Sequence, residues 1–389
     1  MYKIRTYNAI SSKGLKRFPA DSYQVSSDCA DPVGVLLRSQ KLHNEVMPES
    51  VVAVARAGAG TNNIPTADYT DQGIVVFNTP GANANAVKEL IVASLLMGSR
   101  DIYGGMNYVQ GLTDITDSGE MGQLLEKEKK RFAGGEVQGK TLGVIGLGAI
   151  GSMIANLALE LGMDVVGYDP AISVEAAWQL SSNVERMDSI EALLARSDFI
   201  TLHVPAIPAT KHLINSKTLS IMKSTAKILN FAREEIVSSA DVVEALDNGV
   251  IGGYITDFPA PELLGRGDVL LMPHIGASTA EAEENCAVMA ANQLMDFLEN
   301  GNILNSVNYP QIKMSRNGGT RITFTNKNVP KVLGNVLSIL ADSNLNVVDM
   351  VNKSRNDIAY NIIDIEGEFD SSLQAKIAEV EGVVHVRII

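Results

Sequence analysis

GKTLGVIGLGAIG, residues Gly139–Gly151, is the stretch that decides the fold of this chain. Its apolar first half, Thr141–Ile145, predicts a buried strand. The amphipathic segment Ser152–Leu161 predicts the helix that follows, and a second strand over Asp164–Gly167 leads to Asp169. A GxGxxG turn between a strand and a helix, with an acidic residue after the next strand, indicates a dinucleotide-binding α/β unit.

The three glycines and the aspartate predict how a dinucleotide is held. Gly146 permits a tight turn, Gly148 lets a pyrophosphate approach the backbone, and Gly151 allows the helix and strand to pack closely. The pyrophosphate would meet the amides and the positive dipole end of the helix. Asp169 would accept hydrogen bonds from the ribose hydroxyls, and Pro170–Ser173 offers no cation for a 2′-phosphate. The sequence therefore predicts NAD, not NADP.

Composition excludes several classes of protein. Hydrophobic residues make up 46% and charged residues 20% of 389 positions, which is typical of a globular protein of two or three domains. A net charge of −13 argues against nucleic-acid binding. Cys29 and Cys286 cannot form a disulfide framework or a CxxC metal site, so no metal is expected. Met1–Ile10 lacks a signal-peptide core, and no apolar run approaches about 18 residues, which predicts a cytoplasmic protein without a membrane partner.

Arginines follow two of the early predicted strands. The strands are Val33–Leu37, Val51–Ala55 and Ile74–Phe77, and the residues that follow them are Arg38, Arg56 and Asn78. Strands alternating with helices predict a parallel sheet, whose ligands bind beyond the carboxyl ends of the strands. Two guanidinium groups at that edge predict an anionic ligand.

Polar side chains also follow the later strands. The strands are Phe199–Leu202, Lys227–Leu229, Tyr254–Thr256 and Val269–Met272, and the polar residues are His203, Asn230, Arg233, Asp257 and His274. A random arrangement would scatter such groups over both ends of the sheet. Their concentration at the carboxyl ends predicts a reactive site there.

The predicted fold is two Rossmann- or flavodoxin-like doubly wound parallel-sheet lobes followed by a ferredoxin-like βαββαβ module. Residues 1–92 and 286–310 are predicted to form the substrate-binding lobe, and residues 93–285 to form the dinucleotide-binding domain. The polar segment 311–319 is predicted to be a linker, and residues 320–389 to form the last module, with Asn328 as the N-cap of its first helix.

Seven motifs resemble the D-2-hydroxyacid dehydrogenases over nearly the whole chain. They are LLRS (Leu36–Ser39), RAGAGTNNI (Arg56–Ile64), NTPGANANAVKEL (Asn78–Leu90), the Gly139–Gly151 motif, HVP (His203–Pro205), LNFAR (Leu229–Arg233) and MPHIGAST (Met272–Thr279). The last module resembles an ACT domain. The resemblance is greatest to the branch that oxidises D-3-phosphoglycerate to 3-phosphohydroxypyruvate with NAD, the first step of phosphorylated serine biosynthesis.

The resemblance implies three catalytic residues. Arg233 would clamp the substrate carboxylate, since a guanidinium fork matches a carboxylate bidentately. His274 would be the general acid/base at the carbinol oxygen, and Glu262 would pair with it and favour its protonated form. The sequence departs from the family's Asp-Val-Phe-x-x-Glu-Pro at Asp257–Glu262. It also has Glu234 where glycine commonly follows the arginine.

The resemblance also implies binding residues. For the cofactor they are Gly146, Gly148, Ala149, Ile150, Gly151, Asp169, His203, Val204, Pro205, Asn230, Phe231, Ala232, Asp257, Gly276 and Ala277. For the substrate they are Arg38, Ser39, Arg56, Ala57, Gly58, Asn83 and Lys129, with Lys129 reaching the partner's site in a dimer. For an amino-acid effector they are Asn326, Asn328 and Asn346. Lys331 stands where the family has glycine, which predicts weak or altered feedback by serine.

The sequence is also compatible with other functions. A sister enzyme acting on an unphosphorylated 2-hydroxy acid, such as a hydroxypyruvate or glyoxylate reductase, is the nearest alternative, and a nucleotide-sensing corepressor shares the same scaffold. The basic run Lys127–Arg131 could be a solvated helix face, and the last module could serve only to pair subunits. We expect the chain to self-associate as a homodimer or homotetramer.

Overall fold

The computed structural model describes residues 1–367 and 371–389 and contains two compact units. One consists of Met1–Asn83 with Thr279–Ile389, and the other of Ala84–Ser278. These boundaries precede the predicted ones by several residues. The reason is that the helix Ala84–Ser99 contributes Val87, Ile91 and Leu95 to the core of the second unit. No helix of the described residues is long and apolar enough to cross a membrane.

The first unit opens with a five-stranded parallel sheet. Its strands are β1 (Tyr2–Thr6), β2 (Tyr23–Ser26), β3 (Gly34–Leu37), β4 (Ala53–Arg56) and β5 (Val75–Phe77), and its short helices are α1 (Ser12–Leu15) and α2 (Thr66–Asp71). The strand order is β2-β1-β3-β4-β5. Because β3 and β4 are adjacent and parallel, the arginines at their carboxyl ends lie at the same edge of the sheet.

The second unit is a doubly wound seven-stranded parallel sheet. Its strands are β6 (Thr141–Ile145), β7 (Asp164–Tyr168), β8 (Glu185–Arg186), β9 (Phe199–Leu202), β10 (Lys227–Asn230), β11 (Gly253–Thr256) and β12 (Val269–Leu271). Its helices are α3 (Ala84–Ser99), α4 (Ile102–Gln110), α5 (Ser118–Glu128), α6 (Ala149–Glu160), α7 (Val174–Gln179), α8 (Ile190–Arg196), α9 (Ser216–Leu219) and α10 (Ser239–Asp247). The order β12-β11-β10-β9-β6-β7-β8 places the switch in strand order between β6 and β9, where such sheets bind their ligands.

The chain returns to the first unit through the long helix α11 (Ala280–Asn300). Its buried side chains, among them Cys286, Leu294 and Phe297, join the core beneath the five-stranded sheet. The helix ends at Gly301, whose φ of 71° lies in the left-handed region that glycine adopts without strain.

The C-terminal module, residues 320–389, has the predicted βαββαβ order. Its elements are β13 (Thr320–Lys327), α12 (Val332–Asp342), β14 (Asn346–Arg355), β15 (Ile358–Glu366), α13 (Ser371–Ala378) and β16 (Val383–Ile388), with the antiparallel order β14-β15-β13-β16. One face of this sheet packs on its own helices. The other face places Ile358, Tyr360 and Ile362 in the same core as Phe297 of α11. The module is therefore a packed layer of the first unit.

The segment predicted as a linker is anchored over its first half. Ile312 is 1% and Met314 is 5% exposed, and Ile303 and Ile312 exchange backbone hydrogen bonds. The polar residues of 311–319 alternate with these two apolar side chains, which sit in the core. Only Ser315–Gly319 is exposed throughout, so a free linker over 311–319 is corrected to a short exposed connection.

A buried arginine fastens the C-terminal module to the rest of the first unit. The Arg321 side chain is fully buried and forms a bidentate ion pair with Asp364, with N–O distances of 2.6 and 2.8 Å. It also donates hydrogen bonds to the carbonyls of Asn300, Met314 and Ser315. One guanidinium thus bonds to a carbonyl at the end of α11, to carbonyls of the connecting segment and to a carboxylate of the neighbouring strand β15.

The helix α12 begins later than the sequence predicts. Its N-cap is Lys331, which makes no side-chain capping bond, and the Asn328 side chain instead donates to the carbonyl of Asn356 at 3.1 Å. The prediction of Asn328 as N-cap is therefore wrong, because residues 329–331 lie outside the helix. Lys331 has a φ of 77°, which explains why glycine suits this position.

Replacing Lys331 with glycine is expected to raise the free energy of unfolding by about 0.5–1 kcal/mol. Relief of the left-handed backbone is worth roughly 1–2 kcal/mol, and the greater unfolded-state entropy of glycine offsets part of it. Lys331→Ala keeps the positive φ and should differ little from the parent. Denaturant unfolding of both variants measures this, and equal stability of the two would refute the strain argument.

Candidate active site

The glycine-rich turn after β6 has the shape that a pyrophosphate requires. Gly146 has a φ of 90°, and a Cβ on it would lie 2.5 Å from the carbonyl oxygen of His203. A Cβ on Gly151 would lie 1.9 Å from the carbonyl oxygen of Gly146, so a side chain at either position would clash. A Cβ on Gly148, the N-cap of α6, would meet nothing within 4 Å. This open space beside the amides of Ala149 and Ile150 fits the dinucleotide group.

Asp169 holds the turn together from the end of β7. Its Oδ2 accepts a hydrogen bond from the amide of Leu147 at 2.8 Å, and its Oδ1 accepts one from Ala171 at 2.9 Å. The predicted ribose acceptor is thus fixed in orientation by the turn that would carry the pyrophosphate. Its remaining lone pairs are the ones that a ribose hydroxyl could use.

His203 follows β9 at the switch in strand order. Its amide donates to the carbonyl of Ile145, and its Nε2 lies 2.9 Å from the Thr201 hydroxyl. Burial lowers the pKa of His203 to about 3, so the ring is neutral through the range where enzymes work. Val204 and Pro205 continue this loop, and Val204 also faces the Gly146 turn. His203 can therefore shape the cofactor pocket but cannot carry a proton near neutral pH.

A buried asparagine organises the loop that presents Arg233. Asn230 is completely buried; its Oδ1 accepts from the amide of Ala232 and its Nδ2 donates to the carbonyl of Arg233 at 2.9 Å. Phe231 is buried between them, whereas the Arg233 side chain is exposed and donates to the carbonyl of Ala232. The structure thus fixes the backbone of this arginine and leaves most of its guanidinium donors to solvent.

Asp257 fixes the loop that carries His274. The carboxylate is 2% exposed, and its two oxygens accept the amides of Ile275 and Gly276 at 2.8 and 2.7 Å. His274 itself has a φ of 57°, an uncommon conformation for this residue, and packs edge-on against Phe258 at 5.0 Å between ring centroids. Asp257 is thus a positioning residue for His274; Ala277 continues the same loop.

Glu262 and His274 do not form the predicted pair in this structure. Both residues are described, and neither a hydrogen bond nor an ion pair joins them. Glu262 lies in a 3-10 turn, Pro261–Leu263, in which Leu263 is completely buried and the glutamate is exposed. The burial of this leucine decides which way the turn faces. Phe258 takes the contact that the sequence assigned to the glutamate.

The first unit holds the two arginines at the carboxyl ends of β3 and β4. The carbonyl oxygen of Arg38 accepts hydrogen bonds from Arg56 Nε at 3.0 Å and from Asn63 Nδ2 at 3.3 Å. The Asn8 side chain accepts the amides of Ser39 and Gln40. These contacts tie the loop after β3 to the side chain of Arg56, at the sheet edge where both arginines lie.

Small residues leave room for this pair. Ala57 is buried, and a Cβ on Gly58 would lie 2.6 Å from Nη1 of Arg56, so the glycine leaves space for the guanidinium. Asn83 is partly buried at the end of the first unit. Lys129 lies in a 3-10 turn after α5, with 61% of its side chain exposed and an ion pair to Glu126 at 2.5 Å.

The three residues predicted to bind an effector do not come together. Asn326 is buried, and its Oδ1 accepts from Asn361, which in turn accepts from Asn352 at 2.6 Å. Asn346 is exposed and pairs in register with Glu366, six residues along β14 from Asn352, which is roughly 20 Å. Asn352 and Asn361 were not anticipated, because only strand register brings them beside Asn326.

Comparison with known proteins identifies the family. Residues 105–276 match the profile described as "D-isomer specific 2-hydroxyacid dehydrogenase, NAD binding domain". The D-3-phosphoglycerate dehydrogenase of Haemophilus influenzae is 32% identical over 352 residues, covering 87% of this chain and 81% of that protein. The enzyme of the same name from Escherichia coli K12 is 31% identical over 386 residues, covering 95% and 90%.

A solved structure of the same family is similar over most of this chain. The NAD⁺-bound 3-phosphoglycerate dehydrogenase of Entamoeba histolytica aligns with a TM-score of 0.61 and 26% identity, covering 80% of this chain and 99% of that one. The glycine-rich turn and the order of strands around it are those expected of a nicotinamide-dependent enzyme. The chain therefore belongs to the D-isomer-specific 2-hydroxyacid dehydrogenases and is an NAD-dependent oxidoreductase.

Proposed function

We propose that the chain oxidises D-3-phosphoglycerate to 3-phosphohydroxypyruvate. The observation that carries this proposal is the pair of arginines, Arg38 and Arg56, at the adjoining carboxyl ends of β3 and β4. A substrate with both a carboxylate and a phosphate needs more cations than Arg233 alone. Two guanidinium groups at one sheet edge supply them, and the similar proteins from Haemophilus and Escherichia carry this substrate in their names.

The second unit supplies the groups for the reacting end of the substrate. Arg233 would bind the carboxylate through two parallel hydrogen bonds, which its mostly free guanidinium donors allow. His274 would take the proton of the carbinol hydroxyl, the task for which imidazole is suited near neutral pH. Asp257 and Phe258 would hold that imidazole in place. Glu262 remains a candidate partner only if the 3-10 turn rearranges when substrate binds.

The residues that we propose bind the cofactor belong to the glycine-rich turn and to the loops after β9, β10 and β12. The bound nicotinamide supplies the acceptor for the hydride, which no side chain of the protein can provide. Gly148 and the first turn of α6 would hold the pyrophosphate, and Asp169 would hold the ribose. A carboxylate at that position repels a 2′-phosphate, in agreement with the choice of NAD.

The decisive test is the discrimination between D-3-phosphoglycerate and D-glycerate. Arg38→Ala should lower the ratio of their kcat/KM values about 10- to 100-fold, since a charge-assisted hydrogen bond contributes about 1.5–3 kcal/mol. Arg17→Ala is the matched control, because Arg17 lies in the same unit and its side chain donates to the exposed side chain of Asn292. An unchanged ratio in Arg38→Ala would remove the phosphate assignment.

The proposal includes self-association of the chain. Helices α4 and α5 bury none of their described side chains, and Tyr103 and Met106 of α4 are 58% and 63% exposed. Arg131 lies over the rings of Tyr108 and Phe132 at about 5.5 Å. Exposed apolar side chains that cluster on one helix, as they do on α4, usually mark a surface that another protein covers. In such a dimer, Lys129 would give its charge to the partner's substrate.

A further inference from the structure

The Arg38 side chain is paired with a carboxylate of its own unit. Arg38 Nη1 lies 2.7 Å from Oε1 of Glu283, and the two side chains are 40% and 43% exposed. Glu283 is in the first turn of α11, outside the motifs that carry the family resemblance. An anion that binds Arg38 therefore meets a guanidinium already engaged by an internal anion.

The backbones on both sides of this ion pair are held in place. The carbonyl of Arg38 is fixed by Arg56 and Asn63, as described above. Glu283 donates its amide to the carbonyl of Thr279, whose side chain caps α11 by accepting from Ala282 at 3.1 Å. The ion pair can therefore open by rotation of two half-exposed side chains, with no movement of β3 or α11.

We propose that Glu283 is a built-in competitor for the phosphate of the substrate. This inference rests on the proposed function, in which Arg38 binds that phosphate. A phosphate group carries about −1.5 to −2 charges at neutral pH and three acceptor oxygens, whereas a carboxylate carries one charge and two oxygens. The substrate phosphate therefore displaces Glu283 from Arg38, and the displaced carboxylate remains close enough to oppose it.

The competition sets which anions occupy the site. Inorganic phosphate has no carboxylate, so it must displace Glu283 from Arg38 through its contacts with the arginines at this sheet edge alone. The substrate is also bound through its own carboxylate. It therefore still binds in the presence of the Glu283 carboxylate, but with a higher KM. Specificity of this kind comes from a repulsive element directed at the wrong ligand. Because the opposition acts equally on bound substrate and transition state, kcat is unaffected.

The test compares two glutamates that are adjacent in α11. Glu283→Gln keeps the size of the side chain and removes its charge, and Glu284→Gln removes the same charge one residue further on, where the glutamate pairs with Lys13 at 2.5 Å. We expect Glu283→Gln to lower the KM for D-3-phosphoglycerate about 3- to 10-fold, as release of a half-exposed ion pair and its repulsion implies. The kcat should stay unchanged, and Glu284→Gln should have the parent's KM.

A direct binding measurement separates this inference from the proposed function. Calorimetric titration with inorganic phosphate should show tighter binding to Glu283→Gln than to the parent, and the gain should vanish in the double variant Arg38→Ala/Glu283→Gln. This measurement needs no turnover, so it tests the competition even if D-3-phosphoglycerate is not the substrate. A higher KM in Glu283→Gln would show that the carboxylate orients Arg38 and would overturn the inference. So would unchanged KM and unchanged phosphate binding.

Discussion

Replacement of His274 with asparagine should lower kcat about 10²- to 10⁴-fold while NAD binding is retained. That range is the usual contribution of a positioned general acid/base. Of the two histidines at the strand ends, burial lowers the pKa of His203 to about 3, so the acid/base role falls to His274. The rate of NADH formation, followed by its absorbance, measures kcat. Fluorescence titration with NADH measures cofactor binding.

Asparagine is the informative replacement because of the backbone at this position. His274 has a φ of 57°, which asparagine tolerates better than alanine does. His212 offers a matched control: it is exposed, lies in the same unit and has a φ of 50°. His212→Asn should keep the parent's activity. A His274→Asn enzyme with parental kcat would exclude the acid/base role assigned to the histidine.

Replacement of Arg321 with leucine should lower the free energy of unfolding of the first unit by about 3–5 kcal/mol. The change leaves Asp364 buried without its cation, and removal of one partner from a buried ion pair has an effect of this size. It also leaves the carbonyls of Asn300, Met314 and Ser315 without this donor. The loss is large chiefly because Arg321 and Asp364 are both buried, so water cannot replace the guanidinium beside that carboxylate.

Two further variants separate the causes. Arg316→Leu removes an exposed arginine five residues away, and we expect a change within about 0.5 kcal/mol. The double variant Arg321→Leu/Asp364→Leu removes the uncompensated charge and should recover part of the loss, leaving the deficit of the three carbonyls. Urea unfolding followed by circular dichroism measures these free energies. Parental stability of Arg321→Leu would contradict the argument.

The strands that carry the site could be predicted because their cores are continuous and apolar. Thr141–Ile145 and Phe199–Leu202 have the predicted bounds, since buried parallel strands show little polar interruption. Strands β1 and β2 could not be found in this way. Only Ile4 of β1 is buried, and Lys3 and Arg5 alternate with it so that no apolar run marks the strand. Helices α4 and α5 could not be predicted for a related reason, because none of their residues is buried within the chain.

The site was predictable where one loop determines it and not where two segments meet. Gly146, Gly148 and Gly151 serve the turn that their spacing indicates. The contact partner of His274 was not predictable, because burial of Leu263 turns Glu262 outward and leaves Phe258 beside the imidazole. The pairing of Arg38 with Glu283 joins segments far apart in sequence, so it depends on how α11 packs under the sheet.

The last turn of α11 has a consequence for how the polypeptide could be divided. Arg387 donates to the carbonyls of Phe297 and Leu298 and stacks on the Phe297 ring at 4.5 Å, while Tyr360 donates to the carbonyl of Gly301. These contacts, with Arg321, do not depend on the covalent connection through Ser315–Gly319. If the chain were cut in that exposed stretch, its two fragments would stay associated through the same apolar core and hydrogen bonds. A chain that ended there would lack the C-terminal module, which covers the last turn of α11.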